Sequence, residues 1–263
     1  MDHTYWRRQE PGKPLFPDLE WAKPERRDQS GKLLIVGGNK LGFAAAADGY
    51  QTALQTGVGQ AKVLLPDCLK KSVPPTITDV IFSACTPSGG LSKDALPELR
   101  ASSVRADGVL LIGDAGRNAE TALAYEDFIT NLGGPLTVSR DAIDLVKNGP
   151  DLLVARPDTL IVASFAQVQK LFAGVYYPKI LTFSMQLMQL VEALHKFTIT
   201  YPCSIVTLHK DTLIIASGGQ VVTQTWQEPM AIWRGSVATR AACYWLWHRQ
   251  DTLGSVVASI ANN

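Results

Sequence analysis

Three aspartates and one glycine-rich turn carry the chemistry this sequence offers. Asp114 and Arg117 follow directly on the apolar run 109–112. In open α/β sheets ligands sit outside the carboxyl ends of strands, so both are candidate ligand contacts. A turn aspartate beside a solvated arginine is the alternative. Asp141 and Asp144 stand three apart, which puts them on one helix face. Such a pair can do acid–base work, although first-turn acids also favour a helix N-terminus through its dipole alone. Gly37-Gly38-Asn39 break the run 32–36 and precede a helical pattern. Strand, turn and helix in that order are where an α/β domain holds a small molecule.

Other chemistries find no residues. No G-x-x-x-x-G-K-[ST] and no G-x-S-x-G occurs. His3, His195, His209 and His248 form no H-E-x-x-H and no cluster with carboxylates, so no metal site is expected. Cys68, Cys85, Cys203 and Cys243 contain no C-x-x-C pair and read as idle thiols in a reducing compartment. The turn 37–42 has Asn39 where a dinucleotide fingerprint needs its second glycine, although Asp67 could imitate the ribose-binding acid. Trp233, Tyr244, Trp245 and Trp247 could stack on a base, or pack in a core or subunit contact. A net charge of +1 gives no argument for nucleic acid or a membrane surface. No leader is read in residues 1–10, and no run of ~18 apolar residues exists, so a cytoplasmic location is expected.

The elements that must position these residues alternate. The 263 residues, 46% hydrophobic and 19% charged, suit one large domain or two small ones. Residues 1–30 hold Pro11, Pro14, Pro17 and Pro24 among the anchors Trp6, Leu15, Phe16, Leu19 and Trp21. They read as an extended proline-rich arm, without regular helix or strand, lying on this domain or on a neighbouring subunit. Strands are expected at 32–36, 62–65, 79–83, 108–112, 136–138 and 160–163. Helices are expected over the segment with Phe43, Ala47, Tyr50 and Leu54, then at 92–100, 118–132, 141–147 and 165–172. The spacing of Ile180, Phe183, Leu187, Leu190, Val191 and Leu194 predicts a helix over 179–196. Three strands follow at 203–208, 212–216 and 220–225, the last two joined by Ser217-Gly218-Gly219. Helices are expected at 235–247 and 255–261.

The stretch GKLLIVGGNKLGFAAAADGYQTALQTGVG, residues 31–59, resembles the opening of the NAD(P)H-hydrate dehydratase family. Leu111-Ile112-Gly113-Asp114-Ala115-Gly116 falls where that family has an Ile-Gly-Pro-Gly-Leu-Gly-like loop. Val138-Ser139-Arg140-Asp141-Ala142-Ile143 falls where it has Val-x-Asp-Ala-Asp-Ala-Leu, and 206–216 with its hairpin matches the later strands. The resemblance runs from residue 31 to the C-terminus. It departs at Ala163-Ser164-Phe165-Ala166-Gln167-Val168, which keeps nothing of a Thr-Pro-His-Pro-Gly-Glu loop, and at His209-Lys210, in place of Lys-Gly. Trp233-Arg234-Gly235-Ser236-Val237 stands for the family's Gly-Gly-Thr-Gly-Asp, so Val237 takes the place of its catalytic aspartate.

The resemblance implies a ribokinase-like three-layer α/β/α fold over 31–263. Its central sheet is mostly parallel, with antiparallel strands near the C-terminal end. It implies ADP or ATP as ligand and a homo-oligomer as the assembly. Phosphates would meet the amides of Gly235 and Ser236 at a helix N-terminus, with charge from Arg234 and Lys210. With Gly37, Gly38, Asn39, Gly113, Asp114 and Arg117 these form the expected nucleotide or substrate site; Asp114 and Asp141 are the catalytic candidates. Valine cannot move a proton, and general acid–base catalysis typically supplies ~10²–10⁴-fold. Three functions follow: a nucleotide-binding dehydratase relative with altered or lost chemistry, an active dehydratase using another acid, and a non-catalytic interaction protein.

Overall fold

The apolar runs are short and β-branched, and they become strands buried on both faces, the usual fate in a parallel sheet. The computed structural model describes residues 4–10, 12–21, 23–146 and 149–261. Its strands are β1 (Trp6–Gln9), β2 (Lys32–Gly37), β3 (Gln60–Pro66), β4 (Val80–Ser83), β5 (Gly108–Gly113), β6 (Leu136–Ser139), β7 (Thr159–Ser164), β8 (Ser204–His209), β9 (Thr212–Ser217) and β10 (Gln220–Thr225). Among the described residues they form one sheet in the order β1-β10-β9-β8-β7-β6-β5-β2-β3-β4. Every neighbouring pair is parallel except β8–β9 and β9–β10, so β9 alone runs against the others. Gly218 and Gly219, with φ of 54° and 78°, make the two-residue turn between β9 and β10.

Helices cover both faces. One face carries Leu33, Ile35, Leu110, Ile112 and Val206 under α2 (Ala44–Thr56), α10 (Ser236–Trp247) and α11 (Thr252–Ser259). The other carries Leu34, Val36, Leu111, Val138 and Ile205 under α3 (Leu96–Val104), α4 (Ala119–Thr130), α5 (Asp141–Leu145), α6 (Asp151–Val154), α7 (Phe165–Gly174) and α8 (Leu187–Thr200). Alternate residues of each strand thus feed two cores, giving the expected three layers.

The chain winds outward from β2 through β3 to β4. It then returns to the far side of β2 as β5 and winds the other way. The winding reverses between β2 and β5, and the crevice beyond that point is where open α/β sheets bind ligands.

Two expectations need correction. Residues 1–30 do contain regular structure. β1 adds to the sheet edge beside β10, and α1 (Pro17–Trp21) begins on a proline, which costs nothing at the first helical position. The edge strand offered unpaired backbone groups that overrode the proline signal. Trp21 is no anchor, being 88% exposed. The helix expected over 179–196 begins only at Leu187. The Gln189 side chain accepts the Gln186 N–H at 3.0 Å, and Gln169 Nε2 donates to the Leu181 carbonyl at 2.8 Å, holding that irregular approach alongside α7. Ile180 is 83% exposed and Phe183 63%, so their helical spacing was fortuitous. Sequence reading also missed α6 and α9 (Pro229–Arg234).

A buried amide pair pins β1. Gln9 Nε2 donates to Gln224 Oε1 at 2.7 Å and to the Val257 carbonyl at 3.3 Å, while Gln9 Oε1 accepts the Leu15 N–H at 3.1 Å. Tyr5 stacks on His195 with ring centroids 3.7 Å apart. Gln224→Ala strands a buried donor of Gln9, which should cost ~1–3 kcal/mol. At ~2–4 °C per kcal/mol for a domain of this size, thermal unfolding should move down by several degrees. An unchanged Tm would contradict the pinning role.

Candidate functional site

Gly37 and Gly113 end the two strands that flank the switch point. A Cβ built at Gly37 would stand 2.4 Å from the Gly113 carbonyl oxygen, so only glycine fits. The Gly38 N–H donates to that same oxygen at 2.9 Å, with φ of 82° at Gly38. From this contact the two chains diverge into the turn 39–42 and the loop 114–118. Asn39 closes the turn: its N–H donates to the Gly42 carbonyl at 2.9 Å and its Oδ1 accepts the Leu41 N–H at 2.7 Å. Its Nδ2 donates to the Asp114 carbonyl, which ties turn to loop.

Asp114 is the central brace. Its Oδ2 accepts the Ala45 N–H at 2.7 Å, in the first turn of α2, where a carboxylate also meets the helix dipole. Its Oδ1 pairs with Arg140 Nη2 at 2.5 Å. Both carboxylate oxygens are therefore used within the protein. Asp114 itself has φ of 54°, which aspartate tolerates.

Arg140 is the site residue that sequence reasoning missed. Its backbone lies at φ 56° and ψ −140°, a conformation few residues other than glycine adopt. Gln167 Nε2 donates to the Arg140 carbonyl at 2.7 Å and also to Asp144 Oδ2 at 2.8 Å. Arg140 Nη1 donates to the Trp233 carbonyl at the end of α9. One guanidinium thus bridges the β5 loop to the segment before α10. Position 140 drew no notice because it lies inside a stretch read for Asp141 alone.

Asp141 faces the same loop from the start of α5. Its Oδ1 accepts the Asp114 N–H at 2.7 Å and its Oδ2 the Gly116 N–H at 3.2 Å. Burial pushes its carboxyl above the usual carboxylate range; the two amides and Arg140 pull it partly back, while Asp114 adds to the rise. Because the folded value is raised, this group's contribution to stability falls as pH rises from 3.8 through that value. Asp141 and Asp144 do share a face. Both line a cleft of 470 Å³ with Gly116, Arg117, Asn118 and Lys170, and Lys170 Nζ pairs with Asp144 Oδ1 at 2.7 Å. A second cleft of 380 Å³, bordered by Asn39, Lys40, Leu41, Ser88 and Gly90, meets the first at Gly116, Arg117 and Asn118. Arg117 is exposed and makes no hydrogen bond or ion pair among the described residues. Another cleft, 410 Å³, lies at the opposite ends of β2 and β3, away from the switch point.

The remaining candidates divide: Gly235 packs against Ile112 and Arg140 beside the switch point, and Lys210 lies apart from it. Lys210 is exposed at the tip of the β8–β9 turn with φ of 57°. It sits three strands from β5, about 14 Å at the usual strand spacing. Arg234 ends α9 and is exposed, and Gly235, at φ 90°, joins α9 directly to α10. The Ser236 hydroxyl donates to the Ala231 carbonyl at 3.0 Å. Val237 is 1% exposed, part of the core beside Ile112. Trp245 is buried, Trp247 Nε1 donates to the Ser30 carbonyl at 2.9 Å, and Tyr244 lies against Trp247. Trp233 remains half exposed beside the Arg140 bridge. No group of three or more His, Cys, Asp or Glu among the described residues is placed to hold a metal ion, and no described helix is long and apolar enough to cross a membrane.

Strain at Arg140 makes a sharp expectation. Both Arg140→Ala and Arg140→Gly lose the ion pair to Asp114, but only glycine relaxes the backbone. Arg140→Gly should therefore be more stable than Arg140→Ala by about 1 kcal/mol in denaturant unfolding. Equal stability, or a more stable alanine variant, would contradict the strain.

No family model matches the chain, and no curated protein matches it in sequence. Solved structures do resemble it. A ribokinase-like superfamily protein from Enterococcus faecalis V583 matches at TM-score 0.77 and 13% identity, over 99% of this chain and 87% of its own. The ADP/ATP-dependent NAD(P)H-hydrate dehydratase of Bacillus subtilis, co-crystallised with ATP/Mg2+, matches at TM-score 0.64 and 12% identity, over 93% and 84%. The phosphomethylpyrimidine kinase of Clostridium difficile 630 matches at TM-score 0.53 and 12% identity, over 87% and 96%. Identities this low speak to architecture, and the architecture of this chain is the ribokinase-like fold.

Proposed function

We propose that this chain is a nucleotide-binding relative of the NAD(P)H-hydrate dehydratases whose chemistry is altered or lost. The observation that carries the reading is the pair of clefts meeting at Gly116, Arg117 and Asn118, beside the switch point between β2 and β5. Arg117 is a cation with no partner there among the described residues, suited to a phosphate. Each cleft falls within the volume range of small-molecule sites. ATP/Mg2+ in the similarly folded dehydratase supports an adenine nucleotide as the ligand class. Loss of the family's chemistry is supported by Val237, which is buried in the core and has no proton to give. The tight joint of α9 to α10 at Gly235 argues the same way, because the amides expected to meet a phosphate follow directly on a helix.

A second reading keeps an enzyme. Asp141 lines the cleft, and burial raises its carboxyl above the usual carboxylate range, as in many catalytic acids. It would serve as the acid in place of the missing aspartate.

Thermal unfolding with ADP, ATP and NADH tests the first reading. Ligand at ~100 times its Kd adds ~2.7 kcal/mol, which for this size raises Tm by roughly 5–10 °C. Arg117→Ala should abolish most of the shift without lowering the Tm of the free protein. No shift at millimolar nucleotide would overturn both readings. Given a shift, conversion of hydrated NADH that disappears in Asp141→Asn would select the second reading over the first.

A further inference from the structure

Cys68 and Cys85 lie at the C-terminal ends of two neighbouring strands. β3 and β4 run parallel with Pro66 opposite Ser83, and each cysteine stands two residues beyond that pair. Parallel neighbours are about 4.8 Å apart at that last pair, so the two chains leave the sheet side by side, close to the Cα separation a disulfide needs. After β3 the chain makes a single helical turn, Asp67–Leu69, which keeps Cys68 close to the strand end. After β4, Cys85 bridges to Leu91 and so closes the loop 86–90. The Cys68 thiol donates to the Gly89 carbonyl of that loop at 3.6 Å. Asp67 and Cys68 are the neighbours that act on the Cys85 thiol. Cys68 is exposed and Cys85 half-buried, whereas Cys203 and Cys243 are buried.

We propose that Cys68 and Cys85 form a reversible disulfide modification site whose oxidant is a low-molecular-weight disulfide. The exposed Cys68, as its thiolate, attacks one sulfur of the oxidant. The oxidant's S–S bond breaks, and the leaving thiolate takes up a proton equivalent to the one Cys68 lost. Cys85 then gives up its proton and attacks Cys68 Sγ. The mixed disulfide breaks, and the second small thiol leaves with that proton. Two protein thiols are oxidised, and one small disulfide is reduced to two thiols. Cys68 is the exposed thiol and so meets the oxidant first; the Asp67 carboxylate and burial push the Cys85 thiol up to about 11, so closure follows more slowly.

The site has a structural consequence. The Gly89 carbonyl accepts the Lys40 N–H at 3.0 Å as well as the Cys68 thiol. Lys40 and Leu41 line the smaller cleft together with Ser88 and Gly90. Closing the disulfide removes the thiol donor from Gly89 and fixes the base of the loop that borders the cleft.

The test is a covalent map and does not depend on any nucleotide. Folded protein is incubated with oxidised glutathione, quenched in acid, alkylated and digested. The peptides carrying Cys68 and Cys85 should appear joined, lighter by two hydrogens than their sum, and should separate again with dithiothreitol. Cys85→Ser should stop at a glutathione adduct on Cys68. Cys68→Ser should leave Cys85 unmodified over the same time. In each variant, protection of Cys203 and Cys243 from alkylation reports a folded chain. A wild-type map with a lasting adduct on Cys68 and no joined peptide, or with no modification at all, would overturn the proposal.

Discussion

The backbone contact between Gly37 and Gly113 is the constraint on which the binding edge depends. A parallel sheet that winds both ways must bring two strand ends side by side with no helix between them. Here the ends touch so closely that position 37 has no room for a Cβ, and Gly38 spends its N–H on the Gly113 carbonyl. The chains leave that contact in different directions, and the clefts open where they part.

The charges around this contact serve the scaffold before any ligand. Asp114 divides its two oxygens between the first turn of α2 and Arg140. Arg140 reaches on to the end of α9, and Gln167 holds its strained backbone from the start of α7. Asp141 takes the two amides that follow Gly113. One polar network thus joins five elements across the top of the sheet, with Arg140 Nε the one buried nitrogen of its guanidinium that has no partner among the described residues. Arg117 stands outside it, exposed at the junction of both clefts. The segment 163–168 supports Arg140 through Gln167, whose N–H the Ser164 hydroxyl accepts.

The parallel strands were legible because buried β-branched runs such as 32–36 and 108–112 have few other structures to adopt. The layer arrangement and the glycine turn after β2 followed from the same alternation. Residues 179–186 misled because apolar spacing alone cannot distinguish a helix face from an irregular turn that buries Leu181 and Met185 and leaves Ile180 and Phe183 exposed. The arm misled because its partner, the edge of β10, is more than 200 residues distant in the chain. Asp141 and Asp144 could be placed together from spacing alone. Arg140 could not, since its importance comes from contacts with Asp114, Gln167 and Trp233, which no local pattern announces. Val237 drew attention through the resemblance alone, and its burial could be read only from the fold.

A crystal structure of the protein grown with ADP tests the central claim most directly. The account places the phosphates within hydrogen-bonding distance of Arg117, in the clefts that meet at Gly116 and Asn118. Nucleotide bound instead at the opposite ends of β2 and β3, between Lys32 and Asp107, or no bound nucleotide at saturating concentration, would contradict it.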